Sequence, residues 1–213
     1  MNMQAPLLVP NQFESGTWRK EVLPKYHRAW AQQQCSRQMC LFWGHHSSGK
    51  WVDKSCLSQW YPSNFVYHEE QYCCAEQFMM ACKAELFGDL AIKEQILLSQ
   101  YPKQIKELGR QVSNFKQDLW DQYKYSVVLM GNWLKFSQNP ELASFLLATK
   151  DRLLVEASPV DKIYGVGLAA DHKDITNPTK WRGLNLLGFA LMEVRDELKR
   201  AREVLVPDFK TST

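Results

Sequence analysis

The chain of 213 residues is short of several things, and each shortage narrows what it does. Its 6 cysteines, at positions 35, 40, 56, 73, 74 and 82, form no C-x-x-C pair. The densest histidine pair, His45-His46, has no cysteine pair beside it, so a four-ligand tetrahedral metal site is not expected. No Asn-x-Ser/Thr acceptor occurs, and the cysteines read as reduced thiols of an intracellular protein, cytoplasmic or nuclear. No apolar run approaches the ~18 residues of a membrane span. Met1 to Pro10 lacks the basic flank and apolar stretch of a secretory signal. Charge of one sign is scarce as well: 26 Lys+Arg against 23 Asp+Glu leave +3, too little to demand a nucleic-acid partner and too little to repel a phosphate.

What is present is the composition of a globular domain, with 45% hydrophobic and 12% aromatic residues. Without repeats or low-complexity linkers, one unit is expected over residues 38–205, with residues 1–37 as an N-terminal extension and 206–213 as a tail. Gln38 to Trp43 reads as a strand ending at Gly44, and His45 to Lys54 as a loop. Gln59 to Tyr67 is aromatic and β-branched but interrupted at Pro62, which suggests a bent or edge strand. The pattern then turns helical: Cys73 to Phe87, closed by Gly88; Leu90 to Ser99; Pro102 to Gln111; Lys116 to Ser137; and Asn139 to Ala148. Arg152 to Glu156 and the region of Ile163-Tyr164 read as strands. A last amphipathic helix is expected from about Gly183, with Leu184, Leu187, Leu191, Val194 and Leu198 at helical spacing. The expected fold class is α+β, helix-rich, with a small β-sheet. Gly165-x-Gly167-x-x-Ala170 loosely resembles a dinucleotide fingerprint but lacks the strand–turn–helix around it, so a Rossmann reading is set aside.

The helix from Cys73 carries two charges on a face that should be sheltered. Glu76 and Lys83 are seven residues apart, within about 20° of each other around the axis and about 10.5 Å along it. The helix is apolar nearly all round, so a carboxylate and an ammonium there are costly unless paired or used. Spacing alone leaves a structural ion pair, a snorkelling lysine and a catalytic acid with an amine all open.

Several segments together resemble one family. They are Phe42-Trp43-Gly44, Leu57 to Ser63, Cys74-Ala75-Glu76-Gln77-Phe78-Met79-Met80 with Lys83, Leu86-Phe87-Gly88-Asp89, Leu108-Gly109-Arg110, Lys135 to Pro140, Leu146 to Thr149, Leu154 to Pro159, and Trp181-Arg182-Gly183-Leu184-Asn185. Running from about Leu41 to Leu198, they are similar to the NADAR (YbiA-like) family. The resemblance implies an N-glycosidase that needs no cofactor or metal and cleaves the C1–N bond of a phosphorylated ribose. Some members remove ADP-ribose from guanine in nucleic acid; others cleave early riboflavin-pathway intermediates and release ribose 5-phosphate. The Cys-Ala-Glu-Gln-Phe-Met-Met version is closer to the first branch, so ADP-ribosylated DNA or RNA is the expected substrate. A non-catalytic ADP-ribose-binding module is the remaining alternative, and a buried acid and amine argue against it.

The same resemblance implies roles. Glu76 is the general acid/base, and Lys83 is an amine that attacks C1 or steadies a hydroxyl or phosphate. Asp161 holds the ribose hydroxyls or the cationic transition state, with Tyr164 standing where the family usually has Trp. Trp120 stacks on the leaving base, and Trp43, Gly44 and Trp60 line the cleft. Arg182, Gly183 and Asn185, read as opening a helix, form a grip for the (pyro)phosphate. A nucleic-acid substrate would further call for a basic rim, with Lys50, Lys54, Lys173 and Lys180 as candidates.

Overall fold

A computed structural model describes residues 24–34, 36–47 and 49–205; most of the expected N-terminal extension and the whole of the expected tail lie outside the described residues. Among the described residues seven α-helices follow one another as α1 (Arg28–Gln32), α2 (Ala75–Leu86), α3 (Leu90–Leu98), α4 (Pro102–Arg110), α5 (Gln117–Gln138), α6 (Pro140–Ala148) and α7 (Leu186–Leu205). The strands are β1 (Met39–Phe42), β2 (Phe65–Tyr67), β3 (Glu70–Tyr72) and β4 (Leu153–Glu156). They form two separate two-stranded ladders. In the first, β1 and β4 run parallel with Phe42 opposite Glu156. In the second, β2 and β3 are an antiparallel hairpin. The helix-rich α+β class expected from the sequence is what the chain adopts.

The long helices carry the core. Helix α5 packs against α2 on one side and α7 on the other, and α7 covers β4. Phe78, Leu129, Phe136, Leu154 and Phe189 are fully buried where these elements meet, and Leu146 of the neighbouring α6 joins them. Burying each such side chain is worth about 1.5–3 kcal/mol.

Helix α2 is anchored at its start by Gln77. Its side-chain oxygen accepts the Cys73 N–H at 2.7 Å, while its amide nitrogen donates to the carbonyls of Ile96 and Ser99 at 2.9 and 2.8 Å. At the other end the N–H of Gly88 closes on Glu85 and the N–H of Asp89 on Ala84. Asp89 then caps α3 through the Ile92 N–H. Helix α4 comes unusually close to α2: a Cβ on Gly109 would lie 2.0 Å from the Met80 sulfur. The absence of a side chain at Gly109 lets Met80 nestle against α4 on the face of α2 that carries Glu76.

Four expectations need correction. Gln59 to Tyr67 is not one bent strand: a 3-10 turn over Lys54–Leu57 leads into loop, and only Phe65–Tyr67 is extended. The partner strand β3 was not anticipated, because the turn between them places His68 and Glu69, neither a glycine, in the left-handed region. Ile163-Tyr164 is not a strand, because its backbone N–H groups are taken by the Asp161 side chain rather than by a ladder. Helix α7 begins at Leu186, after Asn185 at φ 58°, and not at Gly183. Within the region expected to be an extension, α1 contributes a fully buried Ala31, and the Tyr26 hydroxyl donates to Asp196 of α7 at 2.7 Å.

Candidate active site

The parallel pairing of β1 and β4 brings two loops side by side at the strand ends: one after Phe42, one after Glu156. Between them and α4 lies a pocket of about 380 Å³. Its lining includes Trp43, Gly44, His45 and His46 from the first loop, and Glu156, Ser158, Val160 and Asp161 from the end of β4 and the second loop. Trp60 and Lys106 close the remaining side. A volume of this order suits a small polar ligand or one end of a larger one.

Glu76 sits in the first turn of α2, where its own N–H donates to the Gln59 carbonyl at 2.9 Å. It is 2% exposed, and its Oε1 has no hydrogen-bond partner. Desolvation pushes its carboxyl up to about 7, with the nearby Asp161 adding to the rise; Lys106, the Trp60 indole and Arg110 offset part of it. The acid is therefore poised to give up or take a proton near neutral pH, the property a general acid/base requires.

Asp161 is fixed by its own loop. Its Oδ1 accepts the N–H groups of Ile163 and Tyr164, each at 2.8 Å, and its N–H donates to Ser158 Oγ at 3.1 Å. Tyr164 stands beside the two acids; burial and the charges of Glu76 and Asp161 hold its hydroxyl well above the usual phenol range. Trp120 is buried close to Tyr164. It is not among the residues lining the pocket. Trp43 is 59% exposed at the mouth, whereas Trp60 lies deeper, with the His45 ring 5.3 Å away and the Lys106 amine 5.6 Å from its centroid.

Three side chains of the site were not anticipated. Lys106 of α4 lines the pocket, and its charge is felt by both Glu76 and Glu156. Glu156, the last residue of β4, also lines it; its Oε2 is buried without a partner. Burial first, then Asp161 and Glu76, push its carboxyl up to about 8. Lys135 is completely buried in α5 and donates to the Cys56 and Ser58 carbonyls at 2.7 and 2.8 Å, fixing the turn that presents Trp60. Desolvation holds its ammonium down at about 8. The signal for Lys106 was weak, because a lysine on a helix that is polar on one side ordinarily points to water, whereas Lys135, between Leu134 and Phe136 in an apolar run, had a readable one. Glu156 had a stronger one: a glutamate ending an otherwise apolar strand.

Other expected site residues lie elsewhere. Lys83 shares the α2 face with Glu76 but does not reach the pocket: its amine donates to the Gly109 carbonyl at 2.7 Å and lies 4.2 Å from the centre of the Phe115 ring. It is held below the usual lysine range by desolvation, then by Arg110. Arg182 is exposed and does not line the pocket. Gly183 is jammed against the 162–165 loop, where a Cβ would sit 2.3 Å from the Gly165 carbonyl oxygen. Asn185 is fully buried, its amide oxygen accepting the Glu156 N–H at 3.0 Å and its amide nitrogen donating to the Leu154 carbonyl at 2.9 Å. It pins β4, with neither end of its amide left for a phosphate. Lys50, Lys54, Lys173 and Lys180 are all exposed, and none lines the pocket. Among the described residues no group of three or more His, Cys, Asp or Glu side chains is arranged to hold a metal ion. None of the described helices is long and apolar enough to cross a membrane.

Comparison with known proteins identifies the family and the fold. The NADAR domain model matches residues 41–199, and the chain belongs to this family. An N-glycosidase of Acanthamoeba polyphaga mimivirus is 48% identical over 146 residues, 66% of this chain and 86% of the viral protein. Protein irg-1 of Caenorhabditis elegans is 39% identical over 168 residues, 71% of this chain and 79% of the worm protein. The NMR structure of Escherichia coli YbiA shares the fold with a TM-score of 0.60 at 24% identity, over 85% of this chain and 98% of that one. Hydrolysis of N-glycosyl bonds is thus among the activities named in the family.

Proposed function

We propose that the protein is an N-glycosidase that cleaves the C1–N bond of a phosphorylated ribose, and that its substrate is ADP-ribosylated guanine in DNA or RNA. The observation that carries the reading is Glu76: a buried carboxyl with one unpartnered oxygen, poised near pH 7, beside a pocket that also holds an aspartate and a lysine. Cleaving a glycosidic C–N bond needs a proton for the departing nitrogen and negative charge near the cation growing at C1. In this reading Glu76 gives the proton to the base as the bond breaks, and Asp161 faces the oxocarbenium-like carbon. Water then adds at C1, and the carboxylate of Glu76 takes up its proton, restoring the acid. Lys106 supplies the positive charge that a ribose phosphate or diphosphate requires, and Trp43 and Trp60 offer faces for the base. Lys83, tied to Gly109, supports α4 and so acts on the pocket through Lys106.

The test is direct. The protein is incubated separately with a guanine-ADP-ribosylated oligonucleotide and with the early riboflavin-pathway intermediates, and the released sugars are separated. Release of ADP-ribose from the oligonucleotide, lost in Glu76→Gln, is the expected result. Release of ribose 5-phosphate from the small intermediates alone would refute the nucleic-acid substrate, and activity in neither arm would refute the N-glycosidase.

A further inference from the structure

The pocket holds one more orphaned carboxyl than the proposed reaction uses. Glu156 closes β4 opposite Phe42, so its side chain emerges beside the loop that begins with Trp43. Its backbone is fully committed, the N–H to Asn185 Oδ1 at 3.0 Å and the carbonyl to the Val166 N–H at 3.0 Å. Its Oε2 is buried and makes no hydrogen bond. A buried polar atom left without a partner costs roughly 1–3 kcal/mol, which is tolerable where a ligand completes the bond. The groups facing it are Glu76 from α2, Lys106 from α4, Asp161 from the loop after β4, and His45 and His46 from the loop after β1. Two other carboxyls close by, Asp161 in the same pocket lining and Glu76 behind it, leave Glu156 little reason to ionise.

We propose that Glu156 is a further substrate-contacting residue: a neutral carboxylic acid that donates a hydrogen bond to a carbonyl oxygen or ring nitrogen on the edge of the departing heterocycle. The base is favoured over the sugar because of the neighbouring wall. Trp43, mostly exposed, and Trp60 present flat faces, and an aromatic wall beside a polar group is the arrangement that takes a planar ring and reads its edge. A carboxylic acid both donates and accepts, matching an amide-like edge such as that of guanine or of a pyrimidinedione. Burial keeps the proton on Glu156 until about pH 8, so the donor is present at neutral pH and is lost as pH rises through that value.

The inference rests on the N-glycosidase reading for what the ligand is, and a binding experiment separates the two. Free guanine, a free pyrimidinedione and ADP-ribose are each titrated against the protein by tryptophan fluorescence, across about pH 6 to 9, for the natural chain and for Glu156→Gln and Glu156→Ala. Loss of one good hydrogen bond corresponds to roughly tenfold in affinity. Glu156→Ala is expected to weaken binding of one or both free bases about tenfold at neutral pH and to leave ADP-ribose unchanged. Glu156→Gln, which keeps a donor and an acceptor, should bind the base as the natural chain does and lose the weakening above pH 8. Base binding unaffected by Glu156→Ala, or ADP-ribose weakened in place of the base, overturns the proposal. If Glu156→Ala does not fold, the isosteric Gln variant decides: an alkaline weakening that persists in it overturns the proposal equally. These outcomes do not depend on turnover, whereas a natural chain that binds a base but cleaves no substrate counts against the N-glycosidase.

Discussion

Replacing Glu76 by glutamine should make the protein more stable above neutral pH while removing its activity. The carboxyl is fully desolvated and is raised from 4.5 to about 7 in the folded chain. At about 1.4 kcal/mol for each tenfold change in proton affinity, the folded state holds that proton about 3 kcal/mol more tightly than the unfolded chain does. Because the folded value lies above the unfolded one, Glu76 favours folding fully below pH 4.5, and its contribution is lost as pH rises through 7. Glutamine has nearly the same shape and cannot ionise, so the variant escapes that loss. The difference in unfolding free energy between Glu76→Gln and the natural chain should therefore move in favour of the variant by about 3 kcal/mol between about pH 4 and pH 8.5. Since the charge of Glu76 is also one of the causes that raise Glu156, removing it eases the neighbouring acid, and the gain should not fall short of this. Urea unfolding at a series of pH values, with the slopes checked for constancy, measures the quantity. A difference that stays flat across this range would refute the claim that Glu76 is an unpaired acid kept from water.

Three further outcomes test the placement of individual side chains. Lys106→Met should lower turnover about 10²-fold or more, whereas Lys83→Met should keep it within about threefold and cost roughly 1 kcal/mol of stability; steady-state kinetics and denaturation of both variants decide, and the reverse order would return the amine role to Lys83. Lys135→Met leaves the Cys56 and Ser58 carbonyls without their buried donor and should destabilise the fold by about 2–4 kcal/mol, read by denaturant unfolding. Asn185→Ala strands the Glu156 N–H and the Leu154 carbonyl and should cost a similar amount, again by unfolding; a near-neutral result there would reopen a ligand-binding role for this residue.

The helices were legible because their signals are local. Asp89 before α3, Pro102 at the start of α4 and Pro140 at the start of α6 mark their boundaries in the sequence itself. The hairpin was not, since His68 and Glu69 take a turn usually given to Gly or Asn, and no residue type announced it. The motif segments located Asp161, Trp43, Gly44 and Trp60, which line one pocket, and Glu76, buried within reach of the charges of Asp161 and Lys106. Helical spacing put Glu76 and Lys83 on one face, and that is where they are, yet a shared face does not mean a shared destination. Gly109 draws the end of α4 over Lys83 and offers its carbonyl, and the same helix delivers Lys106 to the site instead. Asn185 illustrates the other limit. An Arg-Gly-x-Asn run before a helix looks like an anion cradle in sequence, and only the packing reveals that both ends of the amide are spent on a strand 29 and 31 residues away.

The β1–β4 pairing has an implication for how the molecule comes into being. Those strands are separated by more than a hundred residues, which include the β2–β3 hairpin and five helices, so Trp43 and Glu156 become neighbours only after much of the chain between them has been made. Contacts so distant along a chain form slowly and late. A growing polypeptide that has emerged as far as α6 already owns Glu76 and Lys106 but not Glu156 or Asp161, so the pocket is complete only when the final third arrives.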